Sequence, residues 1–182
     1  MLRDGVTPSK AKDIAKIEIE EINKIMESLV VKEMFKEKKS LTYIMLNKKN
    51  NLKLFNFNKN NKDFEGCPPG FVFLILGTVV DNSITNENEF FMISQLVRQG
   101  CASATQYNVM FDNYNSEKKH LHVMMYKLCH LYYNWTGAIK VPAPCHYSRK
   151  LALMVGEKLT DRNDLYLPGL RLGDETKSLY FL

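Results

Sequence analysis

The sequence predicts a single α/β layer domain, and three observations carry that prediction. Strand-like and helix-like periods are mixed along the chain, with three helical segments. The strand segments are short, rich in β-branched and aromatic residues, and bounded by turn residues. One stretch near the C-terminus, residues 141–150 (V-P-A-P-C-H-Y-S-R-K), passes from extended to helical over a pair of prolines. With 182 residues the chain can bury a sizeable core, and neither an internal repeat nor a second domain is legible.

Taken in order, residues 1–5 (M-L-R-D-G) leave no room for a first strand, yet Asp-Gly is the kind of turn signal that ends one. The chain is therefore expected to start inside an element, as a fragment would. Thr7 before Pro8 reads as a helix start, with Thr as N-cap and Pro pre-set for the first turn. Ile14, Ile17, Ile22, Ile25, Met26 and Leu29 follow at helical spacing, predicting a helix over 8–29 that continues toward 38, its Lys and Glu residues solvated. Residues 41–46 read as a strand, 47–50 as a basic turn, 52–57 as a hairpin partner, and 58–62 as an Asn/Lys-biased loop. The continuously apolar 71–80 reads as one buried strand.

Residues 89–95 and 106–111 are two more strands, separated by the polar Arg98-Gln99-Gly100. Ser116 caps a second helix with Leu121, Met124, Met125, Leu128, Leu131 and Tyr132 as its apolar stripe, the methionines being core filler. Residues 138–141 read as a short extended run, and 147–158 as a third helix that buries Leu151, Leu153, Met154 and Val155. His146, Tyr147, Arg149 and Lys150 then fall on its first turn, where free N–H groups and the helix dipole favour anions. Taken alone, this stretch reads first as a proline-punctuated connector with polar surface residues.

Composition narrows the function classes. Net charge is +5 and the pI 8.9, which permits a polyanionic partner without demanding one. Cys67, Cys101, Cys129 and Cys145 show no C-x-x-C pair and no signal peptide precedes them, so reduced thiols in the cytosol or nucleus are expected. The apolar run 71–76 is too short to span a bilayer, and no membrane partner is expected. Nucleophile-elbow, P-loop, H-E-x-x-H and dinucleotide fingerprints are all missing. His120 and His122, at i and i+2, cannot face one ligand from a helix and read as surface residues, while His130 reads as a core or interface histidine. Asp4 alone reads as a turn aspartate, although metal sites often use a carboxylate at such a junction.

Segment order adds a resemblance. L-R-D-G-V (2–6), G-T-V-V-D (77–81), E-F-F-M-I-S-Q (89–95), Y-N-V-M-F-D (107–112), Y-K-L-C-H-L-Y-Y-N-W (126–135), V-P-A-P-C-H-Y-S-R-K-L-A (141–152) and the closing S-L-Y-F-L (178–182) resemble, in collinear order, the C-terminal half of the Piwi domain of Argonaute-family proteins, the Piwi subfamily in particular. The resemblance implies a ribonuclease H-like mixed sheet with flanking helices, incomplete here because the domain's N-terminal strands are missing. It implies small-RNA-guided, piRNA-type silencing, with a guide RNA and a target RNA as partners alongside N-terminal, PAZ and middle domains in a full-length parent. The family's cleavage uses two metal ions, Mg²⁺ in a full-length member, held by Asp, Glu, Asp and His.

Asp4 in R-D-G matches the second aspartate, and is thus the catalytic and metal-binding candidate. The first aspartate and the glutamate are expected upstream of Met1. The histidine of the family's Y-A-H-K is replaced by Arg149 in Y-S-R-K, and a guanidinium is always protonated and has no acceptor for a metal. His146, one turn earlier, is no substitute, because the family places a guide-proximal residue there. The slicer activity is expected to be lost or impaired. The resemblance further implies RNA binding by Lys48, Lys49, Lys53, Gln99, Tyr132, Lys140, His146, Tyr147, Lys150 and the terminal Leu182, whose carboxylate would hold a metal ion at the guide's 5′ phosphate if the middle domain is present. Relatives run from P-P-G almost directly into T-V-V-D, so residues 71–77 are expected to be an insertion, either a strand extension or translated intron sequence. The competing expectation is a non-catalytic interaction module or a decayed gene product without RNA function.

Overall fold

The computed structural model describes residues 1–27, 40–57, 71–95, 103–114 and 117–159. The expected helix extension past 27, the loop at 58–62, the polar segment 98–100 and the Ser116 cap lie outside the described residues. Chain order is β1 (Leu2–Asp4), a 3₁₀ turn (Pro8–Lys10), α1 (Ala11–Glu27), β2 (Thr42–Asn47), β3 (Phe55–Phe57), β4 (Phe71–Phe73), β5 (Thr78–Val80), β6 (Glu89–Ile93), β7 (Thr105–Asp112), α2 (Lys118–Leu128) and α3 (Ala143–Leu159).

Five strands make one mixed sheet in the order β1-β2-β7-β6-β5. β1 runs parallel to β2, with Leu2 opposite Ile44 and Asp4 opposite Leu46, while β2, β7, β6 and β5 pair antiparallel in turn. The first residues therefore do form a strand, short as it is. β2 explains the layering. Its Tyr43 and Met45 pack with Ala15 and with Ile14, Ile19 and Ile22 of α1. Its Ile44 and Leu46 join Phe90, Met92 and Tyr107 against Leu121, Met125 and Cys129 below α2 and Cys145 of α3. Helices thus cover both faces, which is why β2 and β6 read as continuously apolar. Each large apolar side chain buried here stabilises the fold by ~1.5–3 kcal/mol.

Several elements differ from expectation for identifiable reasons. Residues 52–57 do not pair with β2: β3 pairs with β4 in a separate two-stranded sheet. The apolar run 71–80 is two strands, broken where Gly77 adopts φ +81°, a conformation open to glycine at little cost. Thr7 stands at the N-cap position, but its side chain makes no capping hydrogen bond there. Of the α1 stripe, Ile17 and Ile25 face solvent, while Glu18 turns to the sheet, accepting the Tyr43 hydroxyl at 2.6 Å and pairing with Arg3 at 3.2 Å. α2 ends at Leu128, so Leu131 and Tyr132 lie beyond it.

The 138–141 run is not a strand. It is clamped to the sheet instead: Ser94 donates to the Ile139 and Lys140 carbonyls at 2.8 and 3.1 Å, and Thr105 to the Lys140 carbonyl at 2.9 Å. α3 starts at Ala143 rather than Tyr147, since Pro144 is tolerated in a first turn. His122 is not a surface residue: its ring lies 4.5 Å from Phe90 and its side chain is only 15% exposed. His130, expected in the core or at an interface, is exposed. Among the described residues no helix is long and apolar enough to cross a membrane.

Candidate nucleic-acid interface

The parallel strands β1 and β2 end side by side, and the carboxyl ends of strands are where open α/β sheets usually hold ligands. Asp4 closes β1. Its Oδ1 accepts the N–H of Gly5 at 2.8 Å, and Gly5 turns away with φ +83°. Because Asp4 is in register with Leu46, Lys48 arrives just beyond it, and the Lys48 ammonium donates to Asp4 Oδ2 at 2.6 Å. Both side chains are largely sequestered, at 25% and 19% exposure. From the opposite side the second turn of α3 brings Ser148 and Arg149 to the same place. Asp4, Lys48, Lys49, Cys145 and Arg149 thus line one open cleft of about 860 Å³.

This donor set does not fit a divalent cation. Among the described residues the one carboxylate lining the cleft is already paired with an ammonium, and a second lysine and two arginines, Arg3 and Arg149, also line it, none with a lone pair to offer a metal. The Cys145 thiol is pushed up to about 12, by burial first and then by the negative charge of Asp4, so it adds no charge to the cleft. The arrangement suits an anion, above all a phosphate that bridges guanidinium and ammonium groups.

Beside the cleft lies an aromatic and basic cluster. The Tyr132 ring meets His146 edge-on at 4.6 Å and Tyr147 at 5.4 Å, and Lys150 Nζ lies 5.5 Å from its centroid. The Tyr147 hydroxyl donates to the Leu131 carbonyl at 3.0 Å and accepts the Tyr133 N–H at 2.8 Å, fixing the loop to α3. His146 is held below its ordinary value of 6.5, by burial first and then by Lys150, Arg149 and Lys48 in turn. Three cations therefore converge on one neutral imidazole. The helix start contributes less than its dipole suggests. Pro142 and Pro144 have no N–H, and the N–H groups of Cys145 and His146 both go to the Pro142 carbonyl, so anion affinity here rests on side chains.

Lys140 is not a free basic residue. Its ammonium donates to the Lys48 carbonyl at 3.1 Å and to the Ser103 hydroxyl at 2.5 Å, and burial, then Lys48, lowers its pKa. It acts as a strut that holds the Lys48 turn against the β7 entry. Ser103 also forms a lone antiparallel bridge with Lys53, which is exposed, as is Lys49. Thus Asp4, Lys48, Lys49 and Arg149 share the cleft, Tyr132, His146, Tyr147 and Lys150 the adjoining cluster, and Lys53 stands to one side. Gln99 and Leu182 lie outside the described residues. Sequence reasoning missed the Asp4–Lys48 pair, for which the parallel β1–β2 register was the only signal.

The Piwi domain family matches residues 1–160 of this chain. The chain is similar to Piwi-like protein 1 of Danio rerio, at 44% identity over 108 residues, 58% of this chain and 12% of that protein. Drosophila Piwi superposes with a TM-score of 0.62 at 32% identity, over 85% of this chain and 20% of that one. The Kluyveromyces polysporus Argonaute solved with a guide RNA superposes with a TM-score of 0.70 at 26% identity, over 84% and 19%. The mixed sheet with flanking helices is accordingly ribonuclease H-like. The chain spans a small share, 12% to 20%, of the relatives it matches.

Proposed function

The chain belongs to the Piwi domain family, and on that premise we propose that it is a C-terminal Piwi-domain portion that holds guide and target RNA in piRNA-type silencing without cutting. The observation that carries this reading is the charge of the cleft at the ends of β1 and β2. Its single carboxylate among the described residues, Asp4, is neutralised by Lys48, and Arg149 stands across from it where the resemblance expects a metal-binding histidine. Lys48, Arg149 and Lys150 supply charge for phosphates, while Tyr132 and Tyr147 hold the surface rigid. Backbone contacts of this kind provide affinity without reading sequence, and pairing between guide and target provides specificity. The solved Argonaute relative that contains a guide RNA supports the choice of polyanion.

Two measurements test the reading. A 5′-phosphorylated single-stranded RNA should bind the purified chain in a salt-dependent way. Three phosphate contacts would give a slope of log affinity against log salt of about −2, at about −0.7 for each. No binding even at low salt would leave the alternative of an interaction module or a decayed gene product without RNA function. Incubation with guide, matched target and Mg²⁺ should leave the target intact, and cleavage between paired nucleotides would overturn the non-cutting half of the proposal.

A further inference from the structure

The turn that joins α2 to α3 exposes three apolar side chains within five residues: Leu131 at 64%, Tyr133 at 85% and Trp135 at 53%. Single exposed hydrophobics need no explanation, but a group this dense beside a basic cluster does. The turn is also firmly held. Tyr147 bridges Leu131 and Tyr133, the Trp135 N–H reaches the Tyr132 carbonyl at 3.3 Å, and the Ile139 N–H reaches the Cys129 carbonyl at 2.9 Å. A Cβ at Gly137 would stand 3.1 Å from Trp135 Nε1, so the indole lies close against that glycine. The backbone that carries these rings is therefore held before any partner arrives, and the Trp135 indole lies against Gly137. Tyr132, between them, packs against His146 and Tyr147 with Lys150 over it.

We infer that Tyr133 and Trp135 are a stacking platform for bases of a single-stranded RNA whose phosphates lie on the adjoining Lys48, Arg149 and Lys150. The inference rests on the RNA-holding function proposed above and adds where unpaired bases sit. Charge complementarity selects this occupant, since Tyr132, next to Tyr133 in the same turn, carries Lys150 5.5 Å from its ring centroid and packs against His146 and Tyr147. Rings and cations interleaved in this way suit any base, because every base has a π-face. Stacking of one base is worth on the order of 10-fold in affinity.

Trp135 is the only tryptophan in the chain, so its emission reports directly on the platform. A mixed-sequence single-stranded RNA should quench it saturably, with the same midpoint as binding followed by anisotropy of the labelled RNA. An abasic ribose-phosphate strand of equal length should bind through its phosphates without quenching. The double variant Tyr133→Ala/Trp135→Ala should lose roughly 10-fold or more for the mixed strand and nothing for the abasic one, while Trp135→Phe keeps most of the affinity. RNA that binds by anisotropy with Trp135 emission unchanged overturns the platform and leaves the RNA-holding function standing. A strand that fails to bind at all removes both. Binding of a protein to the double variant and wild type alike, with RNA affinity also unchanged, assigns no role to these rings.

Discussion

The two ends of the central sheet carry the same local device in opposite surroundings. At one end Asp4 pairs with Lys48, and Lys49 and Arg149 complete the lining. At the other, where β2 begins opposite Asp112, Asp81 pairs with Lys118 at 3.4 Å, and the His122 Nε2 lies 3.5 Å from its other oxygen without a hydrogen bond. Glu87, Glu89 and Asp112 share that second cavity of about 500 Å³. Two of its carboxylates are tied inward. Glu89 accepts Asn86 Nδ2 at 2.8 Å as well as the Gln106 amide, and Asp112 accepts the Thr42 hydroxyl at 2.8 Å. An aspartate–lysine pair thus says little about function by itself. The charges around the pair decide which end can receive a polyanion.

Charge reversal tests this most strongly. Arg149→Glu should weaken binding of single-stranded RNA by about 10-fold or more at low ionic strength, because it both removes a phosphate contact and adds repulsion. Glu87→Lys, an exposed change at the other end, should alter the affinity by less than about 2-fold. Fluorescence anisotropy over a salt series measures both. Comparable effects from the two variants would mean that binding follows net charge and not this cleft.

Stability should separate the ends next. Lys48→Met strips the counterion from a carboxylate that is only 19% exposed, and should lower unfolding free energy by about 1–2 kcal/mol in urea denaturation. Lys118 is 52% exposed, and His122 stays beside Asp81 in its absence, so Lys118→Met should cost under about 0.5 kcal/mol. Equal costs would show that the Asp4 pair is no more sequestered than a surface pair.

Much of the sheet was legible because burial on both faces writes itself as an unbroken apolar run, as in β2 and β6. The same signal misled at 71–80, where only Gly77 marks the turn that divides β4 from β5. α3 starts four residues before the expected 147, because the first turn has no need of the N–H group that Pro144 lacks. Asp4 and Arg149 could be joined in one site only through the resemblance, since the parallel β1–β2 register and the approach of α3 are properties of the fold. Lys140 shows the limit most clearly. The resemblance implies a partner for RNA, while in the fold its ammonium is used on Lys48 and Ser103. The relation of His122 to His120 is the only local clue and points to the surface, while its real neighbours are Asp81, just past β5, and Phe90 of β6.

The smallest effect is the most discriminating, because the two ends each hold one depressed histidine. His122 lies below its ordinary 6.5 through burial first, with Asp81 opposing and Lys118 reinforcing. His146 is lowered by burial and by three cations. For a base whose folded pKa is lowered, both states are neutral well above 6.5 and nothing is contributed. As pH falls through 6.5 the unfolded chain takes up the proton first, so stability declines until the folded-state pKa is reached. The chain should therefore be less stable at pH 5.5 than at pH 7.5, and His122→Gln should flatten that decline. RNA then distinguishes the ends. Phosphates laid beside Lys48, Arg149 and Lys150 offset the cations around His146 and should raise its pKa, whereas the His122 pocket feels no new anion. Imidazole proton resonances followed across pH, with and without single-stranded RNA, read each site separately. An equal response at both histidines, or none at His146, would erase the distinction between a cationic end that receives RNA and an acidic end that only closes the fold.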